Sequence, residues 1–245
     1  MKNKIILEVC IDSVQSAIHA EKGGASRVEL CDNLFEGGTT PSAGTIEITR
    51  RNINIGLQVI IRPRGGDFLY SDLEFEIMKK DILLAKELGA NGVVFGMLKA
   101  DGTVDKDRNA ALVALAQPMS TTFHRAFDMT ADPYQALEDI ISLGIDRILT
   151  SGQERTVPEG VAFIAQLVEK AGDRIIILPG GGIDEFNIEK IVEATGVKEC
   201  HVSGRKKVPS GMQFVNHRVF MGGALRLPEY EISVADPDRI RAMLV

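Results

Sequence analysis

Apolar residues in this chain gather in short β-rich runs, at residues 5–10, 27–31, 57–62, 92–96, 121–124, 147–150, 175–178 and 199–203, and stretches of helical composition such as 72–88, 132–143 and 158–171 separate them. Strands that alternate with helices are parallel, because the helix is the crossover that brings the chain back to start the next strand in the same direction. A glycine-led pattern echoes four times, as Gly24-Ala25-Ser26-Arg27-Val28, Gly89-Ala90-Asn91-Gly92-Val93, Gly144-Ile145-Asp146-Arg147-Ile148 and Gly196-Val197-Lys198-Glu199-Cys200. The glycines lie 65, 55 and 52 residues apart, about two strand–helix units each. Each is placed to end a helix in the left-handed conformation and turn the chain into the next strand. Asp132-Pro133 and Asp236-Pro237 put a capping acid before proline, so residues 236–245 read as a last helix. Nothing resembles an interdomain linker. The 245 residues are therefore expected to form one domain, residues 1–245, of the α/β class: a (β/α)8 TIM-type barrel. An open doubly wound sheet is the alternative.

Side chains alternate faces along a strand, and in a barrel the outward face packs on helices. Leu7 and Val9 are the apolar set of the first strand, which leaves Glu8 and Cys10 inward. By the same parity Arg27, Glu29 and Cys31 point inward from the second strand and Arg62 from the third, with Arg64 just beyond. His124 ends the fifth strand, and His201 shares a face with Ser203 in the eighth, while Cys200 faces the helices. Unpaired charges inside a protein cost several kcal/mol each. These groups therefore pair as a structural network, for instance Glu8 or Glu29 with Arg62, or they form a site at the strands' C-terminal ends, where barrel sites lie. Glu8, Glu29, His124 and His201 are the candidate catalytic groups, with His124 the candidate general acid or base because its reference pKa is near neutrality.

Glycine loops add anion-binding candidates. Strand seven runs into Gly180-Gly181-Gly182, and strand eight ends in Ser203-Gly204. Barrel phosphate sites are built from the loops after these two strands, although a tight turn alone also explains the glycines. Arg62 and Arg64 suit bidentate binding of a carboxylate or phosphate, and Ser151 and Gln153 add neutral donors. No nucleotide cofactor is indicated, since no phosphate-binding nucleotide fingerprint occurs. The loop between Cys31 and Gly44 is long enough to cover the mouth. The segment from Gly204 to about Ile232 reads as a lid or a subunit contact, through Met212, Phe214, Val215 and Phe220.

Composition narrows the partners. A net charge of −6 argues against nucleic-acid binding, and no apolar stretch approaches a membrane span. Residues 1–10 lack the uninterrupted apolar run of a signal peptide, and three cysteines do not make a secreted disulfide framework. A cytoplasmic location is expected. Cys10 and Cys31 end adjacent strands on the inward face, where two thiolates could bind a soft ion such as Cu(I). They are also plausible buried core residues, and Glu8, Glu29, His124 and His201 could instead hold a harder divalent ion.

At these residues the chain resembles the copper homeostasis protein CutC family. The resemblance rests on Leu7-Glu8-Val9-Cys10, Arg27-Val28-Glu29-Leu30-Cys31, Glu36-Gly37-Gly38-Thr39-Thr40-Pro41-Ser42 and Ile61-Arg62-Pro63-Arg64-Gly65-Gly66-Asp67-Phe68. It continues through Thr122-Phe123-His124-Arg125-Ala126-Phe127-Asp128, Arg147-Ile148-Leu149-Thr150-Ser151-Gly152-Gln153, Gly180-Gly181-Gly182-Ile183 and His201-Val202-Ser203-Gly204. It implies a TIM-type barrel, a cytoplasmic homodimer and a link to copper. Relatives often carry cysteine where this chain has Leu69, and some where it has Ile11. Two readings stand together: a Cu(I)-binding protein, and an enzyme acting on a small anionic or phosphorylated metabolite at the C-terminal face.

Overall fold

The computed structural model of the protein describes residues 5–221 and 229–245. Each expected run forms a strand: β1 (Ile6–Ile11), β2 (Arg27–Leu30), β3 (Gly56–Ile60), β4 (Gly92–Phe95), β5 (Ser120–Phe123), β6 (Arg147–Thr150), β7 (Ile176–Pro179) and β8 (Glu199–Val202). The strands pair in the order β7-β6-β5-β4-β3-β2-β1-β8. A parallel bridge between Gly180 and His201 joins the two ends, so the sheet curls into a nearly closed barrel and the open-sheet alternative is excluded. Successive strands are joined through α1 (Val14–Gly23), α2 (Ala43–Asn52), α3 (Asp72–Glu87), α4 (Lys106–Ala116), α5 (Pro133–Ser142), α6 (Val157–Ala171) and α7 (Ile188–Thr195). Gly24 and Gly196 follow α1 and α7 with φ of 94° and 70°, the left-handed turn expected of the recurring glycines.

The main core lies between the barrel and the helices. Leu7, Val9, Val28, Leu30, Val59, Val93 and Ile148 are fully buried there with Ala17, Met78, Ile82, Leu112, Leu137 and Ile164 from the helices. Burying each larger aliphatic side chain contributes about 1.5–3 kcal/mol. Inside the barrel the apolar packing is small: Cys31, Ile60 and Val94, with Cys10 and Leu34 against them. Strand β4 yields inner volume to polar neighbours. A Cβ on Gly92 would lie 1.8 Å from Gln58 Oε1, and one on Gly96 would lie 2.9 Å from His124 Nδ1.

The segment after β8 departs from the expected loop. Strands β9 (Arg205–Pro209) and β10 (Glu231–Ala235) form an antiparallel pair. The charged start of β9, Arg205-Lys206-Lys207, gave no hydrophobic alternation from which to predict it. Met212 and Phe214 are 63% and 73% exposed, so neither packs on the body of this chain. Residues 222–228, part of the segment read as a lid, lie outside the described residues. The last helix, α8, is Pro237–Ala242, with the Asp236 side chain accepting from the Asp238 N–H as its cap. Among the described residues no helix is long and apolar enough to cross a membrane.

Candidate functional site

Strand β1 lies between β2 and β8, and the register places Glu8 beside Arg27 on one flank and beside His201 on the other. Shared parity turns all three side chains inward. Arg27 Nε donates to Glu8 Oε2 at 2.5 Å, and Arg27 Nη2 donates to Glu199. Glu199 also accepts from Arg147 Nε at 2.9 Å. On its other oxygen Glu8 lies 2.8 Å from His201 Nδ1. A chain of alternating charge thus crosses the barrel interior from Arg147 to His201. The partners of Glu8 are Arg27 and His201, not Arg62. Burial alone would raise the Glu8 carboxyl, but hydrogen bonds with His201 and Arg27 outweigh it and hold the pKa at about 2.

Above this layer Cys10 stands beside Glu29. Cys10 Sγ and Cys31 Sγ are 4.0 Å apart, and the two sulfurs and a Glu29 oxygen lie within 4.8 Å of one another. The hydrogen bond between the sulfurs lowers Cys10 well below the usual thiol range and raises Cys31, so Cys10 is the more acidic of the two. His201 and Arg205 lower it further, and Arg205 Nη2 lies 3.8 Å from Cys10 Sγ. Burial opposes charge on His201, yet its bonds to Cys10 and Glu8 raise its pKa well above 6.5. Glu29, with its Oε2 3.6 Å from His201 Nε2, is pushed by burial up to about 8 and so stays protonated near neutrality. Cys200 faces the helices, as parity implies, and burial raises its thiol to about 12.

His124 sits across the mouth at the end of β5. Its Nδ1 accepts the Ala126 N–H at 3.2 Å, which leaves the proton on Nε2. Phe68 and Phe123 flank the ring. Burial, and secondarily the Arg62 charge, push its pKa down to about 3. His124 is therefore a fixed neutral N–H donor near pH 7, and the general acid–base part expected of it does not suit that state. Arg62 is also buried. Its Nη atoms donate to the carbonyls of Glu36, Gly38 and Gly66, and its guanidinium stacks on Phe68 at 5.2 Å.

Asp128 organises the loop after β6. It accepts from Thr150 Oγ1, from the N–H and hydroxyl of Ser151 and from the Gln153 N–H. It also holds Arg125 Nε at 2.8 Å. Ser151 is bonded to Asp128 and Arg125, while the Gln153 amide donates to the Thr130 carbonyl. Singling out Ser151 and Gln153 left Arg125 and Asp128 unassigned, although both stand beside His124 in one sequence block. Arg205 also escaped notice, because it begins a strand the hydrophobic pattern did not reveal.

Two adjoining cavities occupy the mouth and share Cys10, Gly37, Arg125, Leu149 and His201. One, of about 280 Å³, is lined by Gly180, Gly181, Gly182, Ile183, Ser203 and Arg205 among others. The second, of about 330 Å³, is lined by Glu29, Arg62, Phe68, His124, Asp128 and Met129 among others. The loop after β2 supplies Leu34, Glu36 and Gly37 to these walls, in the covering position expected of it. A larger cavity of about 430 Å³ lies by Asp146, Arg147 and Lys198, at the strands' starting ends and away from the cysteines and histidines. Arg64 lines neither mouth cavity: it pairs with Glu74 and Asp67 and stacks on Tyr70. Gly204 packs under Ile240 and Met243 of the C-terminal segment, where a Cβ would lie 2.9 Å from Ile240 Cγ1.

A model of the CutC family matches residues 5–206. A mouse protein named copper homeostasis protein cutC homolog is 50% identical over 241 residues, covering 98% of this chain and 89% of its own. A CutC family protein of Chromobacterium violaceum is 50% identical over 238 residues, covering 97% and 96%. The crystal structure of CutC from Streptococcus agalactiae superposes with a TM-score of 0.78 at 38% identity, over 81% of this chain and 98% of that one. Phosphoribosyl anthranilate isomerase from Thermotoga maritima superposes at a TM-score of 0.58 with 14% identity, over 98% and 96% of the two chains, a likeness of fold alone.

Proposed function

The chain belongs to the CutC family, and from that premise we propose that it serves copper homeostasis by binding Cu(I) as cargo through Cys10 and Cys31. The observation that carries this reading is the inward sulfur pair at 4.0 Å. Soft thiolate donors select Cu(I), where carboxylate oxygen suits harder ions. With metal–sulfur bonds of about 2.3 Å, as thiolates make to a first-row metal, one ion reaches both sulfurs. One member of the pair is the more acidic, and His201 and Arg205 favour its charged form. The relatives named for copper homeostasis support the same assignment. Anaerobic Cu(I) titration against a colorimetric chelator tests it. The wild-type protein should withdraw one equivalent, and a Cys10→Ser, Cys31→Ser double variant should withdraw none. Equal competition by both proteins overturns the reading.

A second reading rests on the glycine-lined cavity beside Arg125. In it the protein is an enzyme that holds a small anionic metabolite at the C-terminal face of the barrel. The Gly181 and Gly182 loop and Arg125 bind the anion, with Ser151 and Gln153 fixing the loop. His201, backed by Glu8, and Glu29 carry protons, and His124 donates a hydrogen bond. Inorganic phosphate titrated into labelled protein should shift the Gly181 and Gly182 amide resonances in a saturable way; unmoved resonances remove this reading.

A further inference from the structure

Buried polar atoms without a partner are scarce in folded proteins, and each marks a place where something else completes the bond. Seven such side-chain atoms occur among the described residues. Four of them, Glu29 Oε1, Arg62 Nε, His124 Nε2 and Arg205 Nε, belong to residues that line the two joined mouth cavities. Three of the four are donors. A buried donor is costly to leave unsatisfied, so their concentration in one place points to an acceptor-rich ligand.

The donors fall into two groups. In the glycine-lined cavity the N–H groups of Gly181, Gly182 and Ile183 find no acceptor among the described residues. Arg125 Nη1 is equally without a partner there, since Asp128, Ser151 and Glu154 engage only its Nε and Nη2. It lies over the loop, 3.6 Å from where a Gly181 Cβ would be. Gly181 has φ of 113°, so a side chain there is strained and the backbone stays open to a ligand. Arg205 lines the same cavity, and its Nε is also without a partner. Successive free amides beside the Arg125 guanidinium form a phosphate-sized nest. In the adjoining cavity the donor is His124 Nε2, its direction fixed by the Nδ1 bond to Ala126, while the Arg62 guanidinium is taken up by loop carbonyls and faces the Tyr70 hydroxyl. Phe68, Ile60 and Leu149 supply apolar wall beside His124. This buried donor, held in place by its own backbone bond, suits an oxygen atom of a carbonyl or carboxylate.

We infer that the mouth recognises a small organic phosphate that carries a carbonyl or carboxylate oxygen a few carbons from the phosphate. The phosphate sits on the Gly181 to Ile183 amides beside Arg125, and the second oxygen takes the His124 Nε2 donor. This inference rests on the second reading above and names its substrate class. The two cavities hold about 280 and 330 Å³, at the small end of ligand pockets, which run from about 300 Å³ upward, so each takes one end of a small molecule.

Calorimetric titration of the full-length protein separates the two levels of argument. The probes are inorganic phosphate, methyl phosphate, hydroxyacetone phosphate and 2-phosphoglycolate. Hydroxyacetone phosphate or 2-phosphoglycolate should bind at least tenfold tighter than methyl phosphate, and whichever does so identifies the second oxygen as ketone or carboxylate. His124→Asn keeps an acceptor for the Ala126 N–H and removes the Nε2 donor. It should erase that tenfold preference while methyl phosphate affinity stays put. Arg125→Met should weaken all four probes together. Amide resonances of Gly181 and Gly182 in the wild-type protein report phosphate contact independently of any variant. Saturable phosphate binding with no preference for the bifunctional probes overturns this inference and leaves the anion site standing. No phosphate binding at all overturns both.

Discussion

Glu8 and His201 stand in register across the β1/β8 pair, with Oε1 of one 2.8 Å from Nδ1 of the other. Arg27 holds the second Glu8 oxygen, so the carboxylate has no freedom to turn away. An ionised carboxylate only accepts hydrogen bonds, which makes Nδ1 the donor and aims Nε2 toward Glu29 at 3.6 Å. The orientation of the imidazole that lowers the Cys10 thiol is thus set one layer deeper in the barrel.

Glu8→Gln keeps the shape of that side chain and removes its charge. It leaves Arg27 with one carboxylate and His201 with none at this position, both inside the barrel. Removing one partner of a buried ion pair costs about 3–5 kcal/mol. Urea unfolding should show a loss of that size, and a change below about 1 kcal/mol would contradict the buried network.

The thiol pair makes a selective prediction. Cys10→Ser or Cys31→Ser alone should weaken Cu(I) retention by at least an order of magnitude in the chelator competition. Cys200→Ser should leave it unchanged, because Cys200 is fully buried on the outward face among helix side chains. A Cys200 variant that loses copper equally would assign the metal elsewhere.

The buried His124 predicts acid sensitivity. Its pKa is about 3 in the folded protein against an ordinary 6.5. Between those values the unfolded chain binds the extra proton, so stability is intact above about pH 6.5 and falls as pH drops toward 3. The full effect is on the order of 5 kcal/mol. Unfolding free energies at pH 7, 6 and 5 should fall more steeply for wild type than for His124→Asn. Parallel slopes would show that His124 titrates normally in the folded state.

Asp128 carries several charge-assisted bonds into one loop, each worth about 1.5–3 kcal/mol. Asp128→Ala should lower stability by about 2–4 kcal/mol and release Arg125, which would appear as weakened phosphate binding and altered Ser151 and Gln153 amide resonances. Intact phosphate affinity together with unmoved resonances would show that the loop holds itself.

Strand–helix alternation and the four recurring glycines were legible in the chain because secondary-structure periodicity and left-handed helix ends are local properties. Inward parity of Glu8, Cys10, Arg27, Glu29, Cys31 and His201 was legible too, since the apolar neighbours Leu7, Val9, Val28, Leu30, Cys200 and Val202 have to face the helices. The β9–β10 pair was not, because antiparallel partners 20 or more residues apart leave no local signature in a stretch opening on three basic residues.

What the sequence by itself determined is the barrel and the set of ionisable groups that its strands turn inward. Which of those groups meet was decided by the tertiary structure. The register across β2, β1 and β8 gave Glu8 to Arg27 and His201 and left Arg62 to loop carbonyls. Local turns took Arg64 away to Glu74 and fixed His124 as a neutral donor. The reason is physical: side-chain parity is fixed every second residue along one strand, whereas ion pairing and proton affinity depend on distances between strands and on burial, which exist only once the barrel has closed.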